Sequence, residues 1–131
     1  MELLKRYKED IEKDLIINDF NLKEVQLRLP ARKHFWAARL IDAKIEHQRL
    51  IKQKKVLKST LASEIVSKSP VRITKGEAEC AADTSQSVIE LTDSIKEYEY
   101  VIEYLEKVEK IMGGMGFDIR NIIAIQELER L

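Results

Sequence analysis

Lysines set at helical intervals are the chain's clearest chemical feature. Lys33, Lys44 and Lys55 stand eleven residues apart, about three helical turns, so on a helix they fall in one line. Lys52, Lys54 and Lys58 flank that line, and no Asp or Glu occurs between Glu46 and Glu64. A row of ammonium groups neutralises phosphates and releases their counterions, which binds nucleic acid without reading sequence. Phe35 and Trp36 add aromatic surface near one end, and bases stacking there would favour a single strand. A second reading stays open: a solvated basic helix that pairs with acidic residues elsewhere in the chain. The lack of acids around residues 52–58 tips the balance toward an anionic ligand.

Other residue types give little chemistry. His34 and His47 have no third ligand at metal spacing, and Cys80 has no base beside it; its position next to Ala81-Ala82 reads as a small apolar residue. Gly113-Gly114-Met115-Gly116 lacks the flanking strand and the Lys-Ser/Thr of a phosphate loop. Glu99 and Glu103 sit one turn apart, as they would on the solvated flank of a coiled coil. No enzyme motif, metal site or cofactor is expected.

These residues need elements to carry them. The 131 residues suffice for one compact domain, 1–131. With 44% hydrophobic and 35% charged residues the chain is neither disordered nor membrane-embedded. Four glycines and two prolines are too few for the turns of an all-β fold. A single cysteine and an N-terminus without an apolar signal core lead us to expect a soluble protein of a reducing intracellular compartment. The net charge of zero conceals a division: residues 1–27 carry −2, 28–75 carry +10 and 76–131 carry −8. A basic middle calls for an anionic partner, and an acidic end for a protein partner or a second subunit.

The pattern predicts an all-α fold. Leu4, Tyr7, Ile11 and Leu15 mark a first helix, and Asn21 with Glu24 suggests a capping box for a second. Pro30 either kinks that helix or opens the next. From about residue 31 to 67, Trp36, Leu40, Ala43, His47, Leu50, Lys54, Leu57 and Leu61 form a heptad seam. His47 and Lys54 on it read as register-setting polar positions, or as a place where the seam opens onto a groove. Ile41, Ile45 and Val56 lie on roughly the opposite side. Residues 71–86 read as a small hairpin or a loop. A second seam runs Val88, Leu91, Ile95, Tyr98, Ile102, Leu105, Val108, Met112, until Gly113-Gly114 stops it. Asp118 then caps a short C-terminal helix carrying Ile119, Ile122, Ile123, Ile125 and Leu128. Apolar residues on two sides of a long helix predict a homo-oligomer larger than a dimer, with Ile119, Ile122, Ile123 and Leu128 as its contacts.

Several of these residues also resemble a known family. Lys13-Asp14-Leu15-Ile16-Ile17, Trp36 and Gln53-Lys54-Lys55-Val56, ungapped from Lys13 to Val56, are similar to the UvsY-type recombination mediators of tailed phages. Gly116-Phe117-Asp118-Ile119 followed by Ile122 is similar as well, and residues 71–87 match least. The resemblance implies a protein of the infected host's cytoplasm that binds single-stranded DNA and assembles into a ring-like homo-oligomer. It implies two protein partners, a RecA-like phage recombinase and the phage single-strand-binding protein, and a role in loading the first onto DNA coated by the second without consuming ATP. The family's Leu-Lys-x-Arg-Leu motif here reads Leu57-Lys58-Ser59-Thr60-Leu61, one residue closer to Val56, with Thr60 in place of the arginine. Lys54, Lys55 and Lys58 are therefore the expected main phosphate contacts, with Lys44 and Lys52 secondary. The competing expectation is a structural helical assembly that binds no DNA, its basic and acidic segments pairing between subunits.

Overall fold

The computed structural model describes residues 1–131. It is all-α, with four helices and no strand: α1 (Glu2–Leu15), α2 (Leu22–Lys68), α3 (Lys75–Ala82) and α4 (Gln86–Glu129). No helix is long and apolar enough to cross a membrane. The chain forms two compact units, one of Met1–Asp42 with Tyr100–Leu131, the other of Ala43–Glu99.

In the first unit the predicted seams supply only part of the core; Ile11 of α1, Leu22, Val25 and Leu29 of α2 and Val101, Met115 and Ile119 of α4 lie in it outside them. Leu22, Val25, Leu29, Trp36 and Leu40 are buried on α2, and Val101, Leu105, Val108, Met112, Met115 and Ile119 on α4. The α4 set steps by four and three without a break, so one face of a single helix stays in the core. That continuity overturns the expected stop at Gly113-Gly114 and the separate helix capped by Asp118. No glycine has positive φ, so none forms the left-handed turn that ends a helix. Each glycine costs about 1 kcal/mol in helix propensity relative to alanine. Burying Met112, Met115 and Ile119, at about 1.5–3 kcal/mol each, outweighs that.

Pro30 resolves as a residue inside α2. It leaves the Gln26 carbonyl without its usual donor, but Leu29 before it and Trp36 after it are both buried and hold the helix together. The expected Asn21–Glu24 capping box does not form. α2 does begin after Asn21, yet the Asn21 side chain turns backward: its oxygen accepts from the Asn18 N–H at 2.8 Å and its amide donates to the Ile16 carbonyl at 3.0 Å. Asn18 in turn accepts from the N–H groups of Phe20 and Asn21. The two side chains thus close the α1–α2 turn themselves. The Gln126 amide donates to Asp19 at 3.0 Å and ties the end of α4 to it.

The second unit has a thinner core, made of Ala43, Leu50, Ala62, Ala78, Ala82 and Val88, with Leu57, Leu61, Leu91, Ile95 and Tyr98 half-buried. Here the hairpin or loop expected over residues 71–86 is α3, a helix of eight residues. The Thr74 hydroxyl accepts from the Glu77 N–H at 3.1 Å. Thr74-Lys75-Gly76-Glu77 has the Thr-x-x-Glu form of a capping box, a stronger signal than the alternation that suggested strands. Ala78 and Ala82, one turn apart, are the buried face of α3. Side chains this small let a short helix lie close to its neighbour.

Candidate nucleic-acid interface

Residues 51–59 of α2 and 75–79 of α3 enclose a groove of about 390 Å³ in the second unit. It is lined by Ile51, Lys54, Lys55, Lys58, Ser59, Lys75 and Glu79. The helical repeat explains the convergence: Lys54, Lys55 and Lys58 share one side of α2 at three- and four-residue spacing. Lys75 joins them because the Thr74 cap makes it the first residue of α3. Lys54 occupies a seam position and is half-buried, and Lys55 is exposed; Lys54 lines the groove. Lys75 lies in the stretch expected as a hairpin or loop; the Thr74 cap is the signal that would have placed it on a helix.

The groove is not without acids. Lys58 Nζ lies 2.8 Å from Asp83 Oδ1, and Glu79 is part of the lining. The hydrogen bond that Lys58 donates to Asp83 is the main reason its ammonium is held above the ordinary lysine range, with the charges of Asp83 and Glu79 adding to it. Counting by sequence alone missed both acids, because they are far along the chain and reach the groove on α3. Four lysines against Glu79 and Asp83 leave two excess positive charges, in a concave site that concentrates the field.

The remaining lysines separate. Lys52 lines a shallower groove on another side of α2 with Gln53, Val56, Leu57 and Thr60. Lys44 is exposed in the second unit. Lys33 belongs to the first unit, where it lines a groove with His34, Trp36, Ala37, Glu109, Met112 and Gly113. Thr60 donates its hydroxyl to the Val56 carbonyl at 3.0 Å, so it supplies neither the charge nor the reach of the arginine expected there.

The aromatic platform has to be corrected. Trp36 is only 3% exposed; its indole N–H donates to Asp14 at 2.7 Å, and Asp14 also pairs with Arg32 at 2.8 Å. Phe35 stands edge-on to Trp36 and lies under Arg32 and Arg39. These rings consolidate the first unit and leave no face of Trp36 for a base. Cys80 is exposed rather than packed with the buried alanines of α3. His47 stays on the seam, where its ring meets Glu99 at 3.5 Å, as a register-setting polar pair would.

Of the expected assembly contacts, Ile119 is 1% exposed and packs inside its own subunit, so it is not an accessible contact. Ile122 is half-buried. Ile123 and Leu128 are exposed on α4, beside Ile125. The apolar residues opposite the α2 seam, Ile41, Ile45 and Val56, are exposed too.

Comparison with known proteins identifies the family and the fold. A family model described as "Recombination, repair and ssDNA binding protein UvsY" matches residues 10–130. No curated protein sequence matches. Crystal structures of the bacteriophage T4 recombination mediator protein UvsY share the fold. The lattice type IV structure superimposes with a TM-score of 0.81 at 18% identity, covering 96% of this chain and 98% of that one. The lattice type II structure gives 0.78 at 19% identity, covering 98% of each. With the family match spanning nearly the whole sequence and the same helical architecture at both ends of it, the chain belongs to the UvsY family.

Proposed function

We propose that this chain is a non-catalytic recombination mediator that binds single-stranded DNA and helps a RecA-like phage recombinase to load onto DNA coated by single-strand-binding protein. The observation that carries the reading is the four-lysine groove of the second unit, in a chain whose family is described by single-strand DNA binding. Lys54, Lys55 and Lys58 are its main phosphate contacts, Lys75 a fourth, with Lys44 and Lys52, which lie outside the groove, secondary. A few contacts per subunit bind weakly at physiological salt. A ring-like homo-oligomer in the host cytoplasm, with residues 1–131 acting as one DNA-binding and assembly domain, repeats the groove and makes later contacts intramolecular, which raises avidity by about 10²–10⁴. DNA held along such a surface takes its shape. If that shape suits the recombinase better than the coating protein, the difference in affinity drives the exchange.

The test is titration of a labelled oligothymidylate at several salt concentrations. Binding should weaken with salt, and Lys55→Ala with Lys58→Ala should weaken it further for all sequences, flattening the log–log slope by about 0.7 per lost contact. Parent-like affinity in that double variant at moderate salt would remove the groove from the DNA path. No binding by the parent would favour the structural-assembly reading instead.

A further inference from the structure

Asp83 pairs with Lys58, one of the four groove lysines. Its Oδ1 accepts from Lys58 Nζ at 2.8 Å, a charge-assisted contact as short as an ammonium makes to a phosphate oxygen. It lies just past the last turn of α3, and its backbone N–H bonds to the Glu79 carbonyl at 3.1 Å. Lys75, Glu79 and Asp83 follow at intervals of four residues, so α3 carries one cation and then two carboxylates along a single stripe. The helix therefore both completes the cationic groove, through Lys75, and partly fills it with negative charge, through Glu79 and Asp83. Glu79 lines the open groove, whereas Asp83 engages one specific lysine. Both partners of that pair remain accessible, with Lys58 29% and Asp83 50% exposed at the side chain, so the pair can open without unfolding anything.

We propose that Asp83 is a built-in competitor for the phosphate backbone: it holds Lys58 in the free protein and must be displaced when a DNA phosphate enters the groove. The inference rests on the DNA-binding reading above and adds to it a residue that lowers affinity. It gives weak, reversible engagement per subunit, so that DNA can be handed on rather than retained. An ion pair this exposed contributes only weakly to the free protein. Its release on binding subtracts that contribution, and a carboxylate left beside an incoming phosphate subtracts a little more by like-charge repulsion.

Asp83→Asn keeps the shape of the side chain and removes its charge. It should bind a labelled oligothymidylate about two- to fivefold more tightly at moderate salt, with the advantage fading as salt rises. The same substitution in a Lys58→Ala background should give little or no gain, because the competitor's target is gone. Equal gains in both backgrounds would mean that Asp83 acts only through the general field, and no gain in either would mean that it does not compete; both results overturn the inference while leaving DNA binding by the parent intact. A parent that binds no oligonucleotide at any salt overturns the underlying reading as well. Circular dichroism of each variant guards against loss of α3.

Discussion

Trp36 brings an indole N–H into the interior of the first unit, and Asp14 receives it together with Arg32. Trp36→Phe keeps a ring but leaves the carboxylate short of one donor. Hydrogen bonds to charged groups contribute about 1.5–3 kcal/mol, so a loss of about 2 kcal/mol is expected, read as a lower urea midpoint at fixed protein concentration. A change within error would mean that water or Arg32 fully replaces the indole. Glu99 gives a pH-dependent counterpart. Hydrogen bonds from His47 and then Lys96 hold its carboxyl below the ordinary range. A lowered folded-state pKa stabilises above the unfolded value and ceases to do so as pH falls through the folded one. The stability advantage of the parent over Glu99→Gln should therefore persist down to about pH 4.3 and disappear below it; an advantage unchanged in strong acid would contradict the pairing. At this scale the cations were legible in the sequence and their partners were not. Lys54, Lys55 and Lys58 are neighbours on one helix, whereas Asp83, Asp14 and Glu99 reach their partners only through tertiary packing.

Among the elements, both heptad seams were legible because burial repeats every three or four residues. Trp36, Leu40, Ala43 and Leu50 are buried as their spacing predicts, as are Leu105, Val108 and Met112. The breaks between elements were less legible, since they depend on which of two local preferences prevails. Gly113 and Gly114 disfavour helix, but the buried face continues past them. The Thr74 cap prevails over a weak strand alternation in the same way. The glycines give a direct test. A Cβ built on Gly113 or Gly114 meets nothing within 4 Å, so Gly113→Ala with Gly114→Ala should stabilise α4 by about 0.4–1 kcal/mol per site. Thermal denaturation at constant concentration measures it. Destabilisation instead would reveal that another subunit approaches the glycine surface closely.

For the whole molecule, the exposed end of α4 is where assembly is best tested. Ile123 and Leu128 are 40% and 68% exposed; replacing both with Asp should lower the mass seen by light scattering while helix content holds. Ile119→Asp should instead unfold the first unit, because it places a carboxylate where only 1% of the residue meets solvent. A parent that scatters as a monomer of 15.3 kDa at micromolar concentration would rule out self-assembly. The division of the chain also has a consequence for how it folds. Ala43–Glu99 is contiguous, whereas the other unit joins Met1–Asp42 to Tyr100–Leu131 across that whole insert. Contacts of short sequence separation form sooner because less loop entropy opposes them. The contiguous unit should thus gain protection first in pulsed hydrogen exchange, with the amides of residues 101–119 following. Every lining residue of the lysine groove, and Asp83 with them, falls within residues 51–83. The surface proposed to meet DNA is encoded in the part of the chain that can organise earliest, before residues 100–131 have found their place.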